Sequence, residues 1–283
     1  LSDHDRTAWG RPLWLTITYY AIIAWFCFAM LFPILWLVLA AFKTNAEILS
    51  ASGYFPRQWN LDGFEDALTE IGLLRYLANS FLVSAGAASL VVVVSAMAAY
   101  PVARFEFRGR NIVVTVFALG LVMPFSALIV PETLIIRTLG LYDTRIGLML
   151  LYAGLFLPIS FLVMRAFFLS LPLSIEEAAI MDGASYWQIF TRIVLPLSGP
   201  GISTVAIMIF VFTWNEFLFA TLVLSSEDKR TAQVAIRFFQ SQFDFNLPGM
   251  FAAITIVMLV PIMVFIVLQE RVVRGLTAGA VKG

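Results

Sequence analysis

Charge is scarce in this chain of 283 residues: Asp, Glu, Lys and Arg supply 13% of it, about half the share of an average soluble domain, and 61% is hydrophobic. An ordinary water-borne domain is excluded, and lipid is the expected solvent. Cysteine occurs once, as Cys27, so no intrachain disulfide and no thiolate metal site can form; the residue reads as a small buried hydrophobe. The single histidine, His4, lies in the N-terminal tail, which leaves no Ser-His-Asp triad, Cys-His pair or His-rich metal site. Net charge is zero and no basic cluster exceeds Lys229-Arg230, so nucleic acid is not an expected partner. A phosphate-cradling P-loop requires a Gly-Lys pair; none occurs, and the chain cannot hydrolyse ATP by that route.

The charges that exist are unevenly placed. Six charge-free runs cover 12–42, 76–103, 111–131, 146–164, 193–215 and 245–269. A helix needs about 20 apolar residues to cross a hydrocarbon core of about 30 Å, so each run reads as one transmembrane helix. A barrel would alternate apolar and polar residues, whereas Leu90-Val91-Val92-Val93-Val94 is apolar on every side. The first run is longer than the roughly 7–15 apolar residues of a cleavable signal peptide and is expected to be retained. The expected fold is an all-α integral membrane protein with six transmembrane helices and both ends on one side. Arg104, Arg108 and Arg110 crowd one short loop, and Arg271, Arg274 and Lys282 crowd the C-terminal tail; these clusters place both termini in the cytoplasm. The organisation is then a cytoplasmic tail 1–12, a first transmembrane helix 13–42, a core transmembrane domain 76–269, and a cytoplasmic tail 270–283.

Pro33, Pro124, Pro158 and Pro261 fall inside the runs, where a missing backbone donor tends to bend a helix. In the second run, Ser84 to Ser89 and Ser95, Ala96, Ala98 and Ala99 are small residues that let helix backbones approach closely, so this helix is expected to be central.

The segment 171–198 carries the densest local signals. Ser174 with Glu177, and Ser185 with Gln188, each have the spacing of a capping box, so two short helices are expected. Gly183 between them supplies the left-handed turn that ends the first. Tyr186, Ile189, Phe190 and Ile193 recur on one face of the second, and Pro196 helps stop it. That apolar face needs a cover, either a partner protein or the chain's own membrane helices.

Glu177-Ala178-Ala179, Gly183 four residues on, Ile193 and Leu195-Pro196 resemble the EAA loop of permease subunits of bacterial ABC importers. Leu139-Gly140-Leu141, Trp214-Asn215-Glu216-Phe217 and the ending Arg274-Gly275-Leu276-Thr277-Ala278-Gly279-Ala280-Val281-Lys282-Gly283 extend the resemblance to the carbohydrate branch, the group of the maltose permease's smaller subunit. The resemblance implies the type I ABC importer permease fold in a bacterial cell membrane. It also implies partners: a second homologous permease subunit, two ABC ATPase subunits and an extracytoplasmic substrate-binding protein, with a carbohydrate as substrate. No cofactor is expected on this chain; ATP and Mg belong to the ATPases, and the chain itself is not an enzyme. In that family the loop is a coupling helix seated in the ATPase, so Glu176, Glu177, Ala178, Ala179, Asp182, Gly183, Ala184, Trp187, Ile193 and Pro196 are the expected coupling residues. Glu177 caps its own helix, meets a basic residue opposite, or does both.

Two further features bear on a pathway. Glu216, beside Asn215, is expected about 15 residues into the fifth helix, where an intramembrane carboxylate lines a cavity or bonds neighbouring helices. Glu132 and Arg165, at run ends, are expected to snorkel to the interface. In the loop 225–249, alternating aromatics and amides suit contact with a sugar or a binding protein, through Phe239, Gln240, Gln242 and Phe243. The carbohydrate family usually carries Leu-Pro near the start of this loop, where Thr231-Ala232-Gln233 stands here. An ion-coupled secondary transporter using Glu216 is the competing class, and glycerol phosphate or a polyol the competing substrates; a membrane enzyme lacks a nucleophile and its base.

Overall fold

Long apolar runs with no water to bond the backbone must satisfy their peptide groups internally, which a helix does. The computed structural model describes residues 13–50, 53–239 and 246–280, and those residues form helices and connecting turns without a strand. Two units divide the chain: Leu1–Glu70 with Phe239–Thr255, and Ile71–Phe238 with Ile256–Gly283.

In the first unit, α1 (Leu13–Ala40) follows the first charge-free run and carries Pro33 within it. Its side chains are apolar all round, and Cys27 is exposed rather than buried, because no helix of this unit covers that stretch. A capping box of Thr44 and Glu47 starts α2 (Asn45–Leu49). In α3 (Asp62–Thr69), Gly63 is so close to the start of α14 (Leu247–Ala280) that a Cβ would lie 2.7 Å from the Pro248 carbonyl carbon. The entry to α14 is held by side chains: the Leu247 amide donates to Asn45 Oδ1 at 2.9 Å, and Asn246 Nδ2 donates to Asp66 Oδ2 at 2.6 Å.

The second unit is built on α4 (Leu73–Arg104), which packs against α7 (Arg145–Ser170) and α11 (Gly199–Asn215). Ser84, Ala87, Ala88, Ser95, Ala96 and Ala99 are all buried, so the small residues do place this helix in the middle. A core cluster of Val83, Ile136, Leu148, Tyr152, Phe219 and Val223 joins α4 and α7 to α6 (Phe125–Thr138) and α12 (Leu218–Val223).

Two of the six expected spans are not single helices. The third breaks at Met123-Pro124 into α5 (Arg110–Val122) and α6, which diverge by 107°, because Pro124 takes an extended backbone at the junction. The fifth run joins the segment Tyr186–Leu197 to α11 with a bend of 72°. Among the described residues, four helices are long and apolar enough to cross a membrane alone, and up to six if each bent pair is one span. Pro158 and Pro261 lie inside α7 and α14, where the helix continues through them.

Candidate functional site

Residues 171–198 fold as a hairpin of short helices. Leu171 and Pro172 are extended, and α8 (Leu173–Met181) begins directly after them. The expected Ser174–Glu177 box does not form: Pro172 occupies the cap position, which puts Ser174 inside the first turn, where its hydroxyl cannot cap. At the other end the Ala184 amide donates to Ala179 O at 3.0 Å around Gly183, whose φ of +81° is the left-handed turn expected of it. Ser185 and Gln188 form their capping box, the Gln188 amide donating to Ser185 Oγ at 3.3 Å and the Ser185 amide to Gln188 Oε1 at 2.8 Å. The second limb runs from α9 (Tyr186–Ile189) through one wider π turn (Phe190–Val194) into α10 (Leu195–Leu197), ending just past Pro196.

One side of the hairpin is anchored to the end of α4. Arg104 Nε lies 2.6 Å from Glu176 Oε1, and both side chains are only 8% exposed. The approach is an ion pair whose angle is not that of a hydrogen bond, since neither atom has a hydrogen-bonding partner. Tyr100 donates its hydroxyl to Glu176 Oε2 at 2.9 Å, and Arg104 Nη2 donates to Leu171 O at 3.2 Å. Aromatic rings extend the anchorage: Tyr100 lies 5.0 Å from Phe190, and Phe105 lies 5.1 Å from Tyr186, edge to face. Ile189, Phe190 and Val194 are buried, so the chain's own helices cover much of the apolar face, with a cavity of about 200 Å³ left beneath Tyr186 and Trp187.

The other side points away. Glu177, Ala178, Asp182, Gly183 and Pro196 are exposed, together with Met181 at 87% and Trp187 at 63%, while Ala179 is buried and Ala184 and Ile193 are half-buried. Glu177 makes no hydrogen bond or ion pair among the described residues, so it does not cap its own helix. Adjacent glutamates that look alike in sequence therefore face opposite ways.

Glu216 lies one residue past the end of α11, in extended backbone, rather than within the helix. Its carboxylate is fully engaged: Tyr152 donates its hydroxyl to Oε2 at 2.6 Å, and the amides of Phe219 and Ala220 donate to Oε1 and Oε2 at 2.9 and 3.1 Å. The group thus caps α12 and ties it to α7. Asn215 is exposed, donating to Val211 O at 2.8 Å. Glu132 and Arg165 are half-buried, with Glu132 Oε2 and Arg165 Nε buried and without a hydrogen-bonding partner.

At the opposite end of α4 lies a hub that no sequence motif announces. Asp143, with φ of +57°, accepts from the amides of Ser225 and Ser226 at 2.9 and 2.8 Å, from the Ser226 hydroxyl, and from Lys229 Nζ at 2.9 Å. Burial pushes its carboxyl up, but the Ser226 hydroxyl, Lys229 and the two amides together hold it well below the usual carboxylate range. Asn79 Nδ2 donates to the carbonyls of Asp228 and Arg230, and Ser80 Oγ accepts from the Ala232 amide. No motif marks Asp143; it looks like an ordinary loop acid until two segments 82 residues apart meet. Phe239 ends a 3₁₀ turn (Ile236–Phe239), and its side chain, with Gln240, Gln242 and Phe243, lies outside the described residues.

A cavity of about 440 Å³ between α4 and α11 is lined by Phe81, Ala85, Ala88, Val92 and Phe210, with Ser89 adding a hydroxyl. Such walls offer little to orient a polar solute. Among the described residues no three of His, Cys, Asp or Glu gather as a metal site requires.

Comparison with known proteins is consistent along the chain. The family model described as "Binding-protein-dependent transport system inner membrane component" matches residues 91–278. The "Diacetylchitobiose uptake system permease protein NgcG" of Streptomyces coelicolor is 34% identical over 93% of this chain and 87% of its own length. The "Trehalose transport system permease protein SugB" of Mycobacterium tuberculosis is 36% identical over 89% of this chain and 93% of its own. Among solved structures, a bacterial ABC transporter involved in the import of alginate superposes with a TM-score of 0.80 at 22% identity, covering 90% of this chain and 95% of that one.

Proposed function

Because the chain belongs to the family of binding-protein-dependent transport system inner membrane components, we propose that it is a permease subunit of an ATP-driven importer for a carbohydrate. The observation that carries this reading is the two-sided hairpin: Glu176 is fastened inward, while Glu177, Ala178 and Met181 project from a short helix with a left-handed turn at Gly183. A small, protruding, partly apolar helix suits insertion into a cleft of another protein, and unpaired Glu177 suits a basic residue there. The partners are then two ATPase subunits, which hold ATP and Mg, a second permease and an extracytoplasmic binding protein. The hairpin and both termini lie in the cytoplasm, and closure of the ATPases turns the cavity outward.

Relatives whose names specify diacetylchitobiose and trehalose transport support a carbohydrate as the substrate class. Asn215, whose side chain is exposed, lines the outer path; Glu216, with both oxygens engaged, holds α12 in place. The apolar walls of the α4–α11 cavity suit an arrangement in which the partner permease supplies most of the sugar contacts. The test is uptake into proteoliposomes of the complex purified with its subunits. Accumulation requires ATP inside the vesicles with the ATPases and withstands an ionophore; uptake driven by an ion gradient without ATP would overturn the reading in favour of a secondary transporter.

A further inference from the structure

The contacts at the inner end of α4 go beyond docking, because they decide how a push on the hairpin is received. Glu176 and Arg104 are buried, oppositely charged and 2.6 Å apart. Each is held from a second direction, Glu176 by the Tyr100 hydroxyl and Arg104 by the Leu171 carbonyl at the hairpin's entrance. Breaking such a pair on one side leaves an uncompensated charge away from water, so the pair resists opening far more than a surface pair does. The base of the joint is itself closed: Arg110 Nε donates to Val102 O at 2.8 Å, occupying a free carbonyl at the C-terminus of α4. On the second limb the rings of Tyr100 and Phe105 grip Phe190 and Tyr186.

We infer that Arg104, Tyr100 and Glu176 form an ionic joint that makes the hairpin and α4 one rigid body, with Glu176 as the inward positioning residue and Glu177 left to the partner. This rests on the reading of the hairpin as the contact for an ATPase. A displacement of Met181 is delivered to α4 directly, without slack at Pro172, and α4 passes it to α7 and α11, on which it packs.

The experiment is a spin-label distance measurement between Met181→Cys and Leu82→Cys in a Cys27→Ser background, both label sites being exposed. It is made on the full complex with its partner subunits in nanodiscs, nucleotide-free and with ATP and vanadate, and on the chain alone. The joint requires one narrow distance, the same in every state. Arg104→Met loses that single distance, the charge swap of Arg104→Glu with Glu176→Arg restores it, and Tyr100→Phe, which keeps the charges, broadens it less. A wild-type distance that shifts between nucleotide states, or an Arg104→Met distance as narrow as wild type, would overturn the joint. If Arg104→Met does not fold, Tyr100→Phe decides, since an unchanged distance there also counts against it. Failure of ATPases to bind the wild-type chain would instead fall on the functional reading, and the width measured in the chain alone still judges the joint.

Discussion

Lys229 reaches Asp143 twice, donating to its carboxylate at 2.9 Å and to its main-chain carbonyl at 2.8 Å. The Asp143 amide donates in turn to Val223 O at 2.9 Å, so the loop before α7 and the segment after α12 are closed on one residue. Replacing Asp143 by Ala strands two amides and leaves the Lys229 ammonium only the main-chain carbonyl. The expected loss is roughly 1.5–3 kcal/mol, the range for hydrogen bonds to a charged group, read as a lowered unfolding temperature in detergent.

The pH dependence of that hub has a definite sign. The Asp143 carboxyl is held below its usual range in the folded protein, so its stabilisation is complete above the unfolded value of about 3.9 and is lost as pH falls below it. Thermal unfolding followed from pH 7 to pH 3 should show a decline beginning near about pH 4 in wild type. Asp143→Asn should flatten it; an equally steep decline in that variant would assign the acid sensitivity elsewhere.

Gly183→Ala tests conformation alone. Nothing lies within 4 Å of a Cβ built there, so the cost is that of a left-handed backbone, roughly 1–2 kcal/mol. Gly183→Asn should cost less, because Asn tolerates that region. Gly147→Ala is the contrasting case: its Cβ would stand 2.2 Å from Leu141 O, and the variant should be much less stable than either. Unfolding temperatures of the three rank them.

Tyr152→Phe removes one donor from the Glu216 carboxylate at a fully buried site. A loss of about 1.5–3 kcal/mol is expected, with α12 loosened first. Hydrogen exchange at Phe219 and Ala220, whose amides also rest on Glu216, should quicken; unchanged exchange there would mean that the tyrosine bond does not support the cap.

Met181 is the tip of the hairpin, 87% exposed. In a Cys27→Ser background, Met181→Cys should react rapidly with a maleimide on the chain alone and be protected when the ATPase subunits are bound. Equal rates in both preparations would remove this surface from the proposed contact.

Much of the molecule was legible because charge marks water. The limits of α1, α4 and α7 fall within a few residues of the charge-free runs, except that α7 runs on past Arg165 to Ser170, and Gly183 and the Ser185–Gln188 box are local signals that the structure obeys. What failed did so for two reasons. Where proline was involved, the sequence showed a perturbation but not its result: Pro124 divides a span, Pro158 does not, and Pro172 displaces the cap from Ser174. Long-range pairing has no local signature at all. Glu176 and Glu177 are adjacent and chemically the same, and only the position of Arg104, 72 residues earlier, separates an anchor from a free carboxylate. Glu216 stands out in the sequence as a carboxylate near lipid, yet Tyr152 and two amides, which the sequence does not reveal, occupy it.

The 32 residues of α4 make a rod about 48 Å long at 1.5 Å per residue, fastened at one end through Arg104 and at the other through Asn79 and Ser80 to the segment 228–232. Between those fastenings α7 and α11 grip its small-residue middle. A rod held at its waist tilts rather than slides, and tilting carries its two ends in opposite directions. If the hairpin receives the push of an ATPase as proposed, α4 would carry it as a see-saw, its two ends moving in opposite senses.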